Sequence, residues 1–190
     1  GQLVAASHPD HLLTVECVGC GTLFDAAHLP ARALEDRSKA ELLDAAYQRR
    51  HHKVATMRRG ICQGCGAVVE CTLRPRGSLA DGSAVDELAG LETYATLTCT
   101  GCTTSLVGHP ANVALTTPAV VGFFADHGRD VALARWWEKP VAGARAGIEV
   151  AGDDPVTVAI PFDIDGDCLR VVLDDDLQVV ESEREKKGYP

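Results

Sequence analysis

The residues best placed to do chemistry in this chain are thiols. Six of its eight cysteines fall into three Cys-x-x-Cys pairs: Cys17 and Cys20 in VECVGCG, Cys62 and Cys65 in ICQGCG, and Cys99 and Cys102 in LTCTGC. Two cysteines at this spacing close a short knuckle whose sulfurs can share one ion, and two knuckles supply the four thiolates that tetrahedral zinc takes at roughly 2.3 Å. A disulfide framework is the poorer reading, because thiols so close in sequence share a metal more readily than they crosslink a fold. With three pairs, one is left over.

Spacing selects the partners. Between Cys65 and Cys99 lie 33 residues, more than the roughly 15–20 of compact ribbons. The excess is accounted for by residues 75–90, PRGSLADGSAVDELAG, a polar stretch that reads as a loop or short helical insert. Joining Cys17 and Cys20 to Cys62 and Cys65 instead would have to span a whole long helix. Cys62, Cys65, Cys99 and Cys102 are therefore expected to hold one structural zinc, and Cys17 and Cys20 to form a half-site. Four thiolates leave no open position for water or substrate, so the site is expected to staple rather than to catalyse. Sulfur ligands alone do not select the metal, and a rubredoxin-like iron centre is the alternative.

The remaining reactive groups lack such company. Cys71 and Cys168 stand singly in apolar runs and read as small buried hydrophobes. His51 and His52 read as part of a solvated helix face, and His28, His109 and His127 show no metal-ligand spacing. His127 follows a helical stretch, where a histidine can meet terminal carbonyls. No glycine-rich phosphate loop, nucleophile elbow or HExxH motif occurs, and Asp174, Asp175 and Asp176 read as a turn. The chain is expected not to be an enzyme.

Elements must position these groups. QLVAAS and LLTVEC flank the HPDH turn, so residues 2–17 read as a hairpin delivering Cys17 and Cys20. Residues 22–36 read as a loop containing Pro30. Ser38 followed by Glu41 is a capping box, and Leu43, Tyr47, Val54 and Met57 recur at helical spacing until Gly60, which predicts a long helix over about 38–59. AVVECTLRP and LETYATLTC read as strands, the latter ending at Cys99. Thr117 and Pro118 open a second helix that Gly128 closes, and VALARWWEKP is a short amphipathic stretch with Trp136 and Trp137 as anchors. From residue 146, GIEVAG, VTVAIPFDI, CLRVVLDD and LQVVESERE read as an antiparallel meander with an Asp-Gly turn at DIDGD. The predicted class is α+β: zinc-ribbon-like hairpins with one long helix and a shorter helical segment, then the meander. Two lobes are expected, residues 1–108 and 109–190.

The net charge of −9 argues against indiscriminate nucleic-acid binding. One cluster runs the other way: RRHHKVATMRR at 49–59 carries Arg49, Arg50, Lys53, Arg58 and Arg59. These could touch nucleic acid or an acidic partner, although a solvated helix face is the simpler account. No run approaches the roughly 20 apolar residues of a membrane span, and the first ten residues do not read as a signal peptide. A soluble, cytoplasmic protein is expected.

DRSKAELLDAAYQRR, RGICQGCG and TPAVVGFFADHGRDV, in that order and followed by a strand-rich acidic end, carry a family likeness. The chain resembles the C-terminal region of ArsR-type winged-helix transcriptional regulators of haloarchaea, over nearly its whole length. The resemblance implies a region that follows a DNA-binding domain and serves in sensing, partner binding or dimerisation. Its partners would be its own DNA-binding domain and a second protomer. It also implies a further knuckle ahead of a segment like LVAASHPDHLLTVEC, so that the partners of Cys17 and Cys20 would lie upstream of Gly1. A departure from the family pattern is the absence of a glycine after Cys102, where Thr103 stands. The alternatives from other classes are an iron electron-transfer protein and a zinc ribbon that binds nucleic acid directly.

Overall fold

The computed structural model describes residues 3–7, 12–17, 23–75, 92–134 and 138–186. The insert over 76–91, Cys20, Trp136 and Trp137 lie outside the described residues. The architecture is α+β, with two antiparallel sheets beside one long helix and a third packed against the shorter helices that follow.

Strands β1 (Leu3–Ser7), β2 (Leu12–Cys17) and β3 (Leu23–His28) form the first sheet in sequential order. β1 and β2 are the expected hairpin. β3 is not: residues 22–36 read as a loop, yet 23–28 pair with β2 and 31–34 make a helical turn, α1 (Ala31–Leu34). LFDAAH has no strong β propensity, and pairing to the neighbouring strand decides its conformation.

Helix α2 (Lys39–Arg58) starts as its sequence dictates. The Ser38 backbone amide donates to the Glu41 carboxylate at 2.7 Å, while the Glu41 amide donates back to the Ser38 hydroxyl at 3.4 Å. Gly60 closes it at φ +84°, a conformation side-chain-bearing residues avoid. The helix buries two stripes rather than one. Tyr47, Val54 and Met57 enter the main core, whereas Ala46, with Leu42 and Leu43 half-buried beside it, packs toward Leu13 and Leu29 of the N-terminal segment. Leu43 thus belongs to a different face from the three residues it was grouped with.

The second sheet, β4 (Val69–Pro75), β5 (Thr93–Cys99) and β6 (Ser105–Gly108), carries the cysteines. The register of β4–β5 matches that of β1–β2, and β5–β6 starts as β2–β3 does before the bulge at Val15 and Glu16. Val69 stands opposite Cys99 as Leu3 stands opposite Cys17, and Thr98 pairs with Ser105 as Glu16 pairs with Leu23. In each sheet the middle strand ends on the first cysteine of a pair, and the third strand begins three residues after the second.

Helices α3 (Pro110–Ala114), α4 (Pro118–Asp126) and α5 (Lys139–Ala146) lead to a four-stranded meander of β7 (Glu149–Asp153), β8 (Val156–Ile164), β9 (Asp167–Leu173) and β10 (Val179–Lys186). Asp165 and Gly166 turn the β8–β9 hairpin with φ of +51° and +93°, as the Asp-Gly pair predicts. Asp174 Oδ1 accepts from the amides of Asp176 and Gln178, so the aspartate run is a turn. His127 takes the expected place at the end of α4, with Nδ1 2.8 Å from the Phe123 carbonyl. Helices α3 and α5 and strand β6 go beyond what the sequence patterns indicate. α3 and α5 are too short for periodicity to register, and β6 is only four residues long.

One buried cluster runs without a break across residues 108 and 109, from Tyr47 and Met57 through Leu97, Val113 and Phe124 to Phe162 and Leu177. The Leu73 amide donates to the Asp175 carbonyl at 2.7 Å, tying the second sheet to the meander turn.

His109 sits inside this junction, 2% exposed. Its Nδ1 accepts from the Ala111 amide at 3.1 Å, capping α3, so its Nε2 carries the proton and donates to the Arg145 carbonyl of α5 at 3.0 Å. Burial, reinforced by the Arg145 charge, pushes the imidazole down to about 3. The unfolded chain takes up this proton near pH 6.5 and the native state does not. The stability associated with neutral His109 is therefore complete above pH 6.5 and declines as pH falls toward 3. Between pH 6.5 and 5 the loss should be about 2 kcal/mol. His109→Asn retains a capping oxygen but does not titrate, so denaturant midpoints at the two pH values should differ less in the variant than in the parent. Equal differences would show that His109 is not the group responsible.

Candidate metal centre

The first knuckle grows out of the end of α2. Past Gly60, Ile61 and Val68 form an isolated antiparallel bridge that pinches the loop between them. Inside it, the Cys62 amide donates to the Ala67 carbonyl at 3.0 Å and the Gly66 amide to the Cys62 carbonyl at 2.8 Å. Gly66 adopts φ +76°, which accounts for the glycine after Cys65. The second knuckle leaves β5, with the Cys99 amide donating to the Thr104 carbonyl at 2.9 Å. It closes without a positive φ at Thr103, which is why the glycine missing after Cys102 is not needed there.

These two loops bring Cys62, Cys65, Cys99 and Cys102 together, all four sulfurs lying within 4.8 Å of one another. Cys62 Sγ is 3.7 Å from Cys102 Sγ, and Cys65 Sγ is 3.5 Å from Cys99 Sγ. An ion with bonds of roughly 2.3 Å to four tetrahedral sulfurs places them roughly 3.8 Å apart, so the cage has the right size. The separations far exceed a disulfide bond of roughly 2.05 Å. Cys62 and Cys99 are buried, whereas Cys65 and Cys102 reach the surface.

Polar groups of the loops support the anionic form of the sulfurs. The Gly64 amide points at Cys62 Sγ (3.4 Å) and the Gly101 amide at Cys99 Sγ (3.3 Å). The Thr104 hydroxyl lies 3.2 Å from Cys102 Sγ, where it can donate to a thiolate. The amides of Cys65 and Gly64 hold the Cys62 thiol down to about 6, and Thr104 lowers Cys102. Cys65 behaves oppositely. The Ala67 amide pulls it down, but the sulfurs of Cys99 and Cys102 prevail and push it up to about 12. Four sulfurs in mutual contact cannot all ionise unaided, and a dication is what allows them to do so.

The knuckles also approach each other closely. A Cβ on Gly101 would lie 2.6 Å from Ala67 Cβ, so this position accepts no side chain without displacing the opposite loop. Thr100 adds two bonds across the gap, its amide and hydroxyl both donating to the Val68 carbonyl at 3.0 and 3.1 Å. Gly101, Thr100 and Thr104 are supporting residues that cysteine spacing does not reveal, since their partners come from the other knuckle or the far side of a turn.

Cys17 ends β2, and Cys20 lies outside the described residues. Cys71 is half-buried in β4, its thiol 3.7 Å from the Met57 carbonyl and raised by burial, well apart from the quartet in role. His51 departs from the solvated-face expectation. It is half-buried, stacks against Tyr47 at 6.4 Å between centroids, and is lowered by burial. His52 is exposed as expected.

The five basic residues of 49–59 do not share a face. Arg49, Arg50 and Lys53 line a groove bordered by Ala27 of β3, by Gln63 and Gly64 of the first knuckle and by Thr104, Ser105 and Leu106. Arg58 turns away and donates from Nε to the Thr116 hydroxyl at 3.0 Å, and with Arg59 it borders a separate cleft that also contains Glu70 and Asp176. At 100° per residue Arg49, Arg50 and Lys53 fall on one side of α2 while Arg58 is turned roughly half a circle from Arg49, and Arg59 lies beyond the helix end. No helix among the described residues is long and apolar enough to cross a membrane.

No curated protein and no solved structure matches the chain. A family model does, over residues 1–179, covering both sheets that carry Cys-x-x-Cys pairs, all the helices and the meander up to the start of β10. The chain belongs to the family described as a domain of unknown function, DUF7351.

Proposed function

We propose that this chain is a non-catalytic, zinc-stabilised region of a transcriptional regulator, acting in sensing or in protein interaction and dimerisation, with the DNA-binding winged helix outside it. The observation that carries the structural part of this reading is the closed quartet of Cys62, Cys65, Cys99 and Cys102. All four coordination positions come from the chain, which suits a staple and leaves no place for a substrate. Zinc fits the all-sulfur tetrahedron and needs no redox partner; iron fits the same cage, and with it the chain would be an electron carrier. The regulator part rests on the family likeness carried by DRSKAELLDAAYQRR, RGICQGCG and TPAVVGFFADHGRDV.

The matching register of the two sheets supports the half-site reading of Cys17 and Cys20. Because Leu3 stands where Val69 stands, the positions equivalent to Cys62 and Cys65 fall seven and four residues ahead of Leu3, upstream of Gly1. A knuckle there would complete a second ribbon of the same design.

Two measurements test the reading. Purified aerobically, the protein should be colourless and carry zinc in the quartet; a red protein with iron and sulfur-to-iron absorption overturns the zinc assignment in favour of the electron carrier. The coding sequence upstream of Gly1 should encode a winged helix in frame. An unrelated domain there, or none, sinks the regulator assignment and leaves the metal centre intact.

A further inference from the structure

Strand β4 pairs with β5 on one side only. On its other side the Val69 amide donates to the Gly60 carbonyl beyond α2 at 3.1 Å, and the Leu73 amide donates to the Asp175 carbonyl in the turn between β9 and β10 at 2.7 Å. Amides two residues apart in a strand point the same way. The hydrogen-bonded pairs of the β4–β5 ladder are therefore Glu70 with Thr98 and Thr72 with Thr96, and the main chain of Cys71 also faces away from β5. Cys71 lies midway between the two occupied positions, and its amide and carbonyl take no partner among the described residues. Its thiol is engaged elsewhere, with the Met57 carbonyl. Cys71 thus offers one unused main-chain donor and one unused acceptor, groups that normally find partners.

This opening lies in the cleft of about 750 Å³ that Arg58 and Arg59 share with Glu70 and Asp176, a volume within the range of small-ligand sites. Two cations and two carboxylates make the cleft neutral as a whole, which suits an occupant that carries both charges. The charges are also ordered along the strand. Arg58 and Arg59 stand at the Val69 end, beside Gly60, and Asp176 stands at the Leu73 end, beside Asp175. Arg59, Glu70 and Asp176 form no ion pair among the described residues, so these charges have not neutralised one another.

Length is limited at both ends. Four strand residues advance by roughly 13–14 Å, and the pairs to Gly60 and Asp175 close the edge on either side of Cys71. An extended chain of three residues, at roughly 10–11 Å, fits between them. A longer strand of a partner protein would meet main-chain groups of β4 that are already paired.

We propose that this cleft binds a free tripeptide, laid antiparallel to β4. The central residue of the tripeptide accepts from the Cys71 amide and donates to the Cys71 carbonyl; the terminal carboxylate meets Arg59 beside Arg58, and the terminal ammonium meets Asp176. Main-chain pairing is indifferent to side chains, so the charged ends select for length and free termini. An occupant touches β4, the end of α2 and the meander turn together. The proposal rests on the open edge of β4 alone and stands whether or not the chain is part of a regulator.

Titration calorimetry on the metal-loaded chain in low-salt buffer tests it, with trialanine as the probe. Trialanine should bind saturably at one site per chain and slow hydrogen exchange of the Cys71 amide at least ten-fold. Trialanine blocked by acetyl and amide groups, and trialanine methylated on its central nitrogen, should each bind at least ten-fold more weakly. Arg59→Gln and Asp176→Asn should each weaken trialanine at least five-fold, while zinc content and far-ultraviolet circular dichroism stay as in the parent. Arg49→Gln, in the other groove, should leave binding unchanged and controls for loss of charge in general. The proposal is overturned if trialanine does not bind at millimolar concentration, or if the methylated analogue or free alanine binds as well as trialanine does, since the main chain of Cys71 would then play no part. It is equally overturned if a hexapeptide with blocked ends binds more tightly, because the edge would then be open to a partner strand.

Discussion

Replacing Cys99 by serine should cost the protein its quartet metal and lower its melting temperature by about 10–20 °C. The sulfur of Cys99 is buried at the end of the central strand of its sheet, and its loss leaves three thiolates around a dication that takes four. Binding of structural zinc stabilises small domains by roughly 10 kcal/mol. Here the ribbon shares one buried cluster with the helices and the meander, whose packing remains when the metal is lost, so a loss of about 5 kcal/mol is the appropriate scale. For a chain of this size, each kcal/mol moves the midpoint by roughly 2–4 °C. Chelation of the parent protein should reproduce the effect, and Cys71→Ser, in the same sheet but outside the quartet, should not. The measurement is metal content alongside a thermal scan. A Cys99→Ser protein that keeps stoichiometric metal, or melts with the parent, would show that the quartet is not the site.

The second large effect belongs to Phe124. It is fully buried in α4, with rings of Phe123 and Phe162 edge-on at 6.4 and 6.2 Å, and it bridges the helical segment and β8. Phe124→Ala should destabilise the protein by about 3–5 kcal/mol, the usual cost of an aromatic cavity in a core that relaxes only partly. Because one buried cluster continues from Phe124 to Tyr47 and Met57 of α2, the loss should be felt by the ribbon as well as the meander. Denaturation followed by far-ultraviolet circular dichroism and by release of quartet metal to a colorimetric chelator should give transitions that move together. Separate transitions, with only the first displaced by Phe124→Ala, would show that the ribbon and the meander unfold as independent units.

Much of this was legible in advance because it is local. The capping box at Ser38 and Glu41, the Gly60 stop, the Asp165-Gly166 turn and the β-branched runs of the meander each involve residues within a few positions of one another, where propensity and sterics act directly. The quartet was legible for a related reason: a knuckle is closed by residues four to seven apart, and only the pairing of knuckles needed a choice. The long helix between Cys20 and Cys62 decided that choice, the polar insert accounting for the longer gap on the other side, and the sulfurs of Cys62, Cys65, Cys99 and Cys102 do meet.

What failed to show is what depends on partners distant in sequence. β3 is a strand because β2 is beside it, and His51 leaves the solvated face because Asn112 and Leu115, far along the chain, lie beside that side of α2. The two buried stripes of α2 look in the sequence like one imperfect stripe, since nothing local says that a sheet will lie on each side. The basic run 49–59 reads as one patch and becomes two, one in a cleft that also holds Glu70 and Asp176 and one in a groove with Thr104 and Ser105. By itself, then, the sequence determined which four cysteines could hold a metal and the start and stop of several principal elements, through short-range geometry. Only the tertiary structure decided which faces those elements bury, that β1–β2 repeats the register of β4–β5, and how the basic run divides between two clefts, because each follows from packing against neighbours many residues away.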